Sequence, residues 1–287
     1  MRAALTSGLR GEALPVLPAD LREAVVSAVE RHRLQGLFFA WGSDEPAWRL
    51  DYLGGVARAE RWLREAHRLA GLLEAEGIPC LVLRGPLAAL RWHGDPAVRA
   101  FSDLDLLVPE PLRQRAYAVL TVAGYVDQAP DRPRRYFETV HYHYALRQAE
   151  GGVRCDLHWA VDHPFRRLQV PYEPLFAATT WQNVGGRAWR VAAPEHDLLL
   201  AALHVAKEWR QAVVDQREDP LAAAWWTGQL ARWVDLARMQ VVLAGAYRPE
   251  AVVSLAREAG AGPEVERVLR AASCLQDTAG PLRFDQP

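Results

Sequence analysis

Apolar residues recur at helical spacing through the first quarter of the chain. Asp20 can cap a helix with Glu23 three residues on, and Leu21, Val25, Val26 and Val29 then follow on one helical face. A second helix is expected from about Ala57 through Trp62, Leu63, Ala66, Leu69, Leu72 and Leu73, with Gly77 as its C-terminal stop. The pattern changes at Ile78. Ile78-Pro79-Cys80-Leu81-Val82-Leu83 is a short apolar run that reads as a buried strand, and Arg84-Gly85-Pro86 reads as a tight turn into a helix opened by proline. Ser102 to Val108 is a second strand, after which Pro109-Glu110-Pro111 opens a helix running to Gly124. Strand, helix, strand, helix implies a sheet with helices against it.

From Tyr136 to Ala160 the pattern is that of a hairpin. His141 to Leu146 forms one arm, Val153 to Trp159 the other, and Glu150-Gly151-Gly152 supplies the turn chemistry. Gly185 to Val191 reads as one more short strand. Beyond Pro194 the periodicity is helical throughout: Glu195 to Trp209, Thr227 to about Leu243, Pro249 to Ala259 and Pro263 to Leu275, with a charged loop at Asp215 to Pro220. There is no internal repeat.

Composition fits this picture of an ordinary globular protein. The 287 residues are 50% hydrophobic and 24% charged, which excludes disorder and leaves enough chain to bury a core without staples. A net charge of -1 supplies no global field toward nucleic acid or an anionic membrane, so neither partner is expected. The basic side chains are all arginine except Lys207. Three widely spaced cysteines with no CxxC pair suit a reducing cytoplasm, the expected location. No signal peptide is recognisable at the N-terminus, and no apolar run approaches the roughly 18 residues of a membrane span.

The chemistry concentrates in acidic residues. Asp103 and Asp105 are one residue apart on an expected strand, so both carboxylates share a face while Leu104 and Leu106 take the other. Such a pair is either a divalent-metal site for Mg²⁺ or Mn²⁺ or a solvated polar edge. Asp156 lies among core-directed residues of another strand (Val153, Cys155, Leu157, Trp159), where a charge needs a partner: a second metal, an acceptor proton, or an arginine such as Arg154 or Arg166. At Gly85 a phosphate can approach the backbone at a helix start, with Arg84 beside it as a bidentate grip. Arg99 can meet phosphate or one of the chain's own carboxylates. Trp62 and Trp233 read as packing, His204 as a packed, hydrogen-bonded histidine, and Trp159 as a possible wall of the pocket.

These residues resemble a known family. Leu83-Arg84-Gly85-Pro86, Asp95-Pro96-Ala97-Val98-Arg99, Ser102-Asp103-Leu104-Asp105-Leu106-Leu107-Val108, Ala123-Gly124-Tyr125 and Asp156-Leu157-His158-Trp159 are similar to the motifs of an uncharacterised bacterial nucleotidyltransferase-like family of the DNA polymerase β superfamily. Pro194 to Ala206 and Trp233-Val234-Asp235-Leu236-Ala237 resemble its C-terminal helices. The resemblance covers roughly Gly77 to Met239. It implies an α+β fold with a polymerase β-like mixed-sheet core at 77–192, a helical segment at 1–76 and a helical bundle at 193–287. It also implies metal binding by Asp103, Asp105 and Asp156, with Arg84, Gly85, Arg99, Ser102 and His158 as nucleotide-binding residues. Mg²⁺ or Mn²⁺ and an NTP, with ATP foremost, are the expected cofactor and substrate. Some relatives lie in gene clusters for ribosomally made peptides such as lasso peptides, so a peptide or small molecule is the implied acceptor.

Two departures stand out. Pro86 replaces the serine that well-studied superfamily members carry after the glycine, removing a hydroxyl and an N–H, and Arg84 stands where the family usually has lysine. They leave open a non-catalytic binding module with the same fold. A further rival is a zinc hydrolase: with a hairpin turning at Ala149-Glu150, His143 would face Asp156 and His141 would face His158.

Overall fold

The computed structural model describes residues 1–16, 19–150, 152–166, 168–212 and 229–276. Four helices come first: α1 (Arg2–Arg10), α2 (Ala19–Arg31), α3 (Gln35–Ala40) and α4 (Pro46–Ala75). The α4 helix starts at Pro46, well before the expected Ala57. Its first half buries little beyond Trp48 and leaves Leu50, Leu53 and Val56 exposed, so no apolar stripe marks it. The α1 and α3 helices were not read from the sequence.

The sheet has five strands: β1 (Leu81–Val82), β2 (Leu104–Leu107), β3 (Tyr125–Asp127), β4 (His143–Gln148) and β5 (Arg154–His158), in the order β1-β2-β5-β4-β3. Only β2 and β5 run parallel; the other neighbours are antiparallel, so the sheet is mixed. The expected run from Ile78 contributes only two residues to the ladder, because β1 is an edge strand that pairs through Leu81 and Val82 alone. Between β1 and β2 lies α5 (Pro86–His93), and α6 (Arg113–Val122) precedes β3.

The hairpin differs from its reading in two ways. Tyr136 to Val140 belongs to a helix, α7 (Arg134–Val140), so the first arm begins at His143. Its register sets His143 opposite His158 and Ala145 opposite Asp156. The turn centres one residue later than Ala149-Glu150, and each such step slides strand partners by two, which changes the pairs while keeping every side chain on its face.

After α8 (Tyr172–Ala177), β6 (Thr180–Val184) and β7 (Arg187–Val191) form a separate hairpin across Gly185-Gly186. Both glycines have positive φ, 58° and 75°, as a two-residue turn of the primed type requires. The chain then becomes helical in α9 (Pro194–Ala212), α10 (Leu230–Val242), α11 (Pro249–Glu258) and α12 (Gly262–Ser273). Thr227 and the charged loop at Asp215 to Pro220 lie outside the described residues, as does the side chain of Arg166.

Two cores result, one on each side of the sheet. Leu104, Leu106, Cys155, Leu157 and Trp159 pack with Leu63, Leu69 and Leu73 of α4 and with Ala116 and Leu120 of α6. Leu81 and Leu107, pointing the other way, join a core shared by the first helices (Leu5, Val29, Phe38) and the last (Leu199, Val234, Val265). Trp62 and Trp233 are buried packing residues, as expected. Trp159 sits against Tyr144 with ring centroids 4.7 Å apart in the first core and does not line the cavity on the other face of the sheet. No helix among the described residues is long and apolar enough to cross a membrane.

Candidate functional site

The polar residues of the sheet open into a cavity of about 370 Å³ between the sheet and the C-terminal helices. Strand alternation explains its floor. Leu104 and Leu106 face the first core, so Asp105 faces the cavity; the parallel register sets Asp156 directly beside it, and His158, two residues on, shares that face. Asp103 lies just before β2 and lines the same cavity.

Asp105 is the anchor. Its buried carboxylate accepts two hydrogen bonds from Arg84, Nη2 to Oδ1 at 2.6 Å and Nε to Oδ2 at 2.9 Å, and Oδ1 lies 2.8 Å from His158 Nε2. Burial alone would raise its pKa, but the Arg84 charge and the His158 bond outweigh that and hold the carboxyl far below the ordinary range. Asp156 has no such guanidinium; His143 Nε2 stands 3.7 Å from its Oδ2. Burial, with Asp105 and Asp103 nearby, pushes Asp156 up to about 7. Asp103 is raised too, by burial and by Asp105. Arg84 and Arg154 pull both carboxyls the other way through space, less than burial and the neighbouring carboxylates raise them. Like charges gathered in this way favour a cation.

The donor set suits a divalent metal. One ligand atom each from Asp105, Asp156 and His158 lies within 4.8 Å of the others. Neither His141 nor His143 belongs to that group, although the His143 ring lies 5.0 Å from His158 and 5.5 Å from His141 between centroids. Burial and the neighbouring His158 and His141 drive His143 down to about 3, leaving it neutral.

Of the other expected residues, Arg84, Gly85, Arg99 and His158 line the cavity and Ser102 does not. Gly85 caps α5 with φ 76°, a left-handed conformation that favours glycine, and lines the cavity. Arg84 lines it as well, but its fork is engaged by Asp105, while Nη1 reaches His204 Nε2 at 2.9 Å. Arg99 lines the cavity as well and donates through Nε to both oxygens of Asp235 at 2.7 and 2.9 Å. Ser102 is exposed and outside the cavity lining; its carbonyl accepts from Arg154 Nε. His158 lines the cavity with Nε2 turned to Asp105.

Residues 18–277 match the family described as uncharacterised nucleotidyltransferase. The chain belongs to that family. Like that family it has the expected α+β fold, a mixed sheet with helices on both sides. Among solved structures it is similar to the antibiotic-resistance factor ANT(2'')-Ia in solution, at 14% identity over 70% of this chain and 91% of that one, with a TM-score of 0.42. It is also similar to an antigenic nucleotidyltransferase-like protein from Paracoccidioides brasiliensis, at 17% identity over 72% of this chain and 91% of the other, with a TM-score of 0.39. A crystal structure of ANT(2'')-Ia with adenylyl-2''-tobramycin gives 14% identity, 64% and 99% coverage and a TM-score of 0.35. No match was found among functionally curated proteins.

The C-terminal helices roof the cavity, with residues that the sequence did not single out as its lining. His204, Lys207 and Glu208 of α9 and Arg232 and Asp235 of α10 line it. Lys207 Nζ donates to the Tyr142 hydroxyl at 2.5 Å and stands 4.1 Å from that ring. Arg232 pairs with Glu208. Burial, with Arg84 and Arg99 close by, brings Arg232 down to about 10. The one signal available was that Lys207 is the sole lysine of the chain.

Proposed function

We propose that the protein transfers a nucleoside monophosphate from an NTP to a hydroxyl of a small-molecule or peptide acceptor, releasing pyrophosphate. The observation that carries this reading is the convergence of Asp103, Asp105 and Asp156 on one cavity floor, beside a glycine turn at a helix start, in a chain of this family. Asp103, Asp105 and Asp156 would hold Mg²⁺ or Mn²⁺, which would supply charge neutralisation at the phosphate oxygens. The acceptor oxygen forms its bond to the α-phosphorus as the bond to pyrophosphate breaks. Asp156 takes the acceptor proton on its carboxylate. Gly85 leaves room for phosphate, and the C-terminal helices close over the acceptor. In this reading the chain divides into a helical segment at 1–76, the chemistry at 77–192 and the closing helices at 193–287.

One observation favours a second reading, a non-catalytic nucleotide-binding module. Pro86 supplies no N–H at the phosphate turn, and Arg84 is engaged by Asp105 rather than free for phosphate. The site of bond cleavage separates the two. With γ-labelled ATP, GTP, CTP or UTP and Mg²⁺ or Mn²⁺, label is expected in pyrophosphate, and Asp103→Ala is expected to abolish its release. Orthophosphate as product, or equal turnover by Asp103→Ala, would refute the transfer reading. Metal-dependent binding without turnover against a broad acceptor set would support the module.

A further inference from the structure

The floor of the cavity carries a nitrogen that nucleotidyl transfer by three carboxylates does not use. His158 lies on β5, opposite Leu107 of β2 and His143 of β4, so it sits in the middle of the sheet rather than at the rim. It is 3% exposed. Its Nε2 is 2.8 Å from Asp105 Oδ1, and a carboxylate oxygen of Asp156 completes a group of three ligand atoms within 4.8 Å of one another. A histidine–aspartate hydrogen bond accounts for two of these groups. It does not account for the third, a carboxylate that adds negative charge to a buried pair already balanced by Arg84.

The distances suit an ion between them. Two ligands at right angles, each about 2.1–2.2 Å from a metal, stand about 3 Å apart, close to the separation of His158 Nε2 and Asp105 Oδ1. Nor does a second-shell partner fix the tautomer of the ring. Nδ1 is buried with no hydrogen-bond partner, and Tyr142 stacks on the ring face at 5.6 Å between centroids. What Nε2 meets therefore decides its state: a proton shared with Asp105 when no metal is bound, a lone pair toward a metal when one is, with the ring proton then on Nδ1.

We propose that His158 is a nitrogen ligand of the metal, joining Asp105 and Asp156 in a mixed oxygen and imidazole set that selects Mn²⁺ over Mg²⁺. This inference rests on the metal-dependent reading of the same floor. Mg²⁺ is held mainly by oxygen ligands, whereas imidazole suits first-row transition ions. Asp103, outside the group of three, is left to face the phosphates or a second ion.

The test uses the full chain with Mn²⁺ alone and reads pulsed electron paramagnetic resonance, which reports nitrogen bonded to the ion without turnover. Wild type is expected to show a ¹⁴N coupling that is lost in His158→Gln and kept in His143→Gln. The ratio of Mn²⁺ to Mg²⁺ affinity is expected to fall about 10-fold or more in His158→Gln. Should His158→Gln fail to fold, ¹⁵N-histidine labelling of His143→Gln serves instead, and the ¹⁴N coupling is expected to become a ¹⁵N coupling. Bound Mn²⁺ without nitrogen coupling, or a coupling unchanged in His158→Gln, would overturn the histidine ligand while leaving the carboxylate site intact. A folded protein that takes up neither ion would overturn both the ligand and the metal-dependent transfer.

Discussion

The two faces of the central sheet are made from alternate residues of the same strands, yet they answer to opposite physics. Behind, Leu104, Leu106, Cys155 and Leu157 are fully buried among the apolar residues of α4 and α6, where each added contact stabilises the fold. In front, Asp105, Asp156 and His158 bring charge and imidazole together out of water, where burial raises Asp156 to about 7 and opposes its ionisation. A strand of four residues can serve both ends because its period is two. The back face holds the front face in register, and the front face accepts a cost in folding that a cation can offset.

The contrast can be broken most severely from the front. Asp105→Asn is expected to lower metal-dependent turnover by at least about 10³-fold, on the order of 4 kcal/mol in the barrier, measured by pyrophosphate release. Leu106→Ala, on the back, is expected to cost about 2–5 kcal/mol of stability in denaturant unfolding while leaving metal affinity per folded molecule nearly unchanged. A matching loss of metal affinity would mean that the faces are not separable.

Asp156→Asn sharpens the comparison because it should stabilise the protein as it disables the site. The carboxyl has a folded pKa of about 7 against 3.8 as its ordinary value, so the native state binds the extra proton. The stability this proton supplies is complete below about pH 4 and is lost as pH rises through 7. Without metal, Asp156→Asn is therefore expected to raise the Tm at pH 8, by about 1–2 kcal/mol of stability, with little change at pH 4. Equal Tm values at pH 8 would remove the argument that the front face carries an electrostatic cost. An effect of similar size is expected at the start of α5: Gly85→Ala forces an alanine to φ 76° and should cost about 1–2 kcal/mol in denaturant unfolding.

What could be read from the sequence was what is local. The Asp103-Leu104-Asp105 alternation and the Asp156-Leu157-His158-Trp159 strand were legible, because period two and a run of β-formers need no tertiary information. The pairing of β4 with β5 was legible only to within one turn residue, which was enough to fix faces and too little to fix partners. Trp159 was misjudged for a related reason: its neighbours in sequence, not its face, suggested the pocket. The residues of the roof were hidden, since which side of α9 carries His204 and Lys207 into the cavity depends on how that helix docks on the sheet. The fate of Arg99 was hidden too, because its partner Asp235 is far along the chain on α10. The first half of α4 lacks a buried stripe, so hydrophobic periodicity could not announce it.

The central claim is that the front face is built for a cation and a nucleotide together. It is tested most directly by calorimetric titration of ATP, GTP, CTP and UTP, with and without Mg²⁺ or Mn²⁺, into wild type and an Asp103→Ala, Asp105→Ala double variant. Binding of at least one nucleotide only when metal is present, lost in the double variant, is the predicted result. Nucleotide binding that ignores both the metal and the two substitutions, or no binding to any of the four by folded protein, would contradict it.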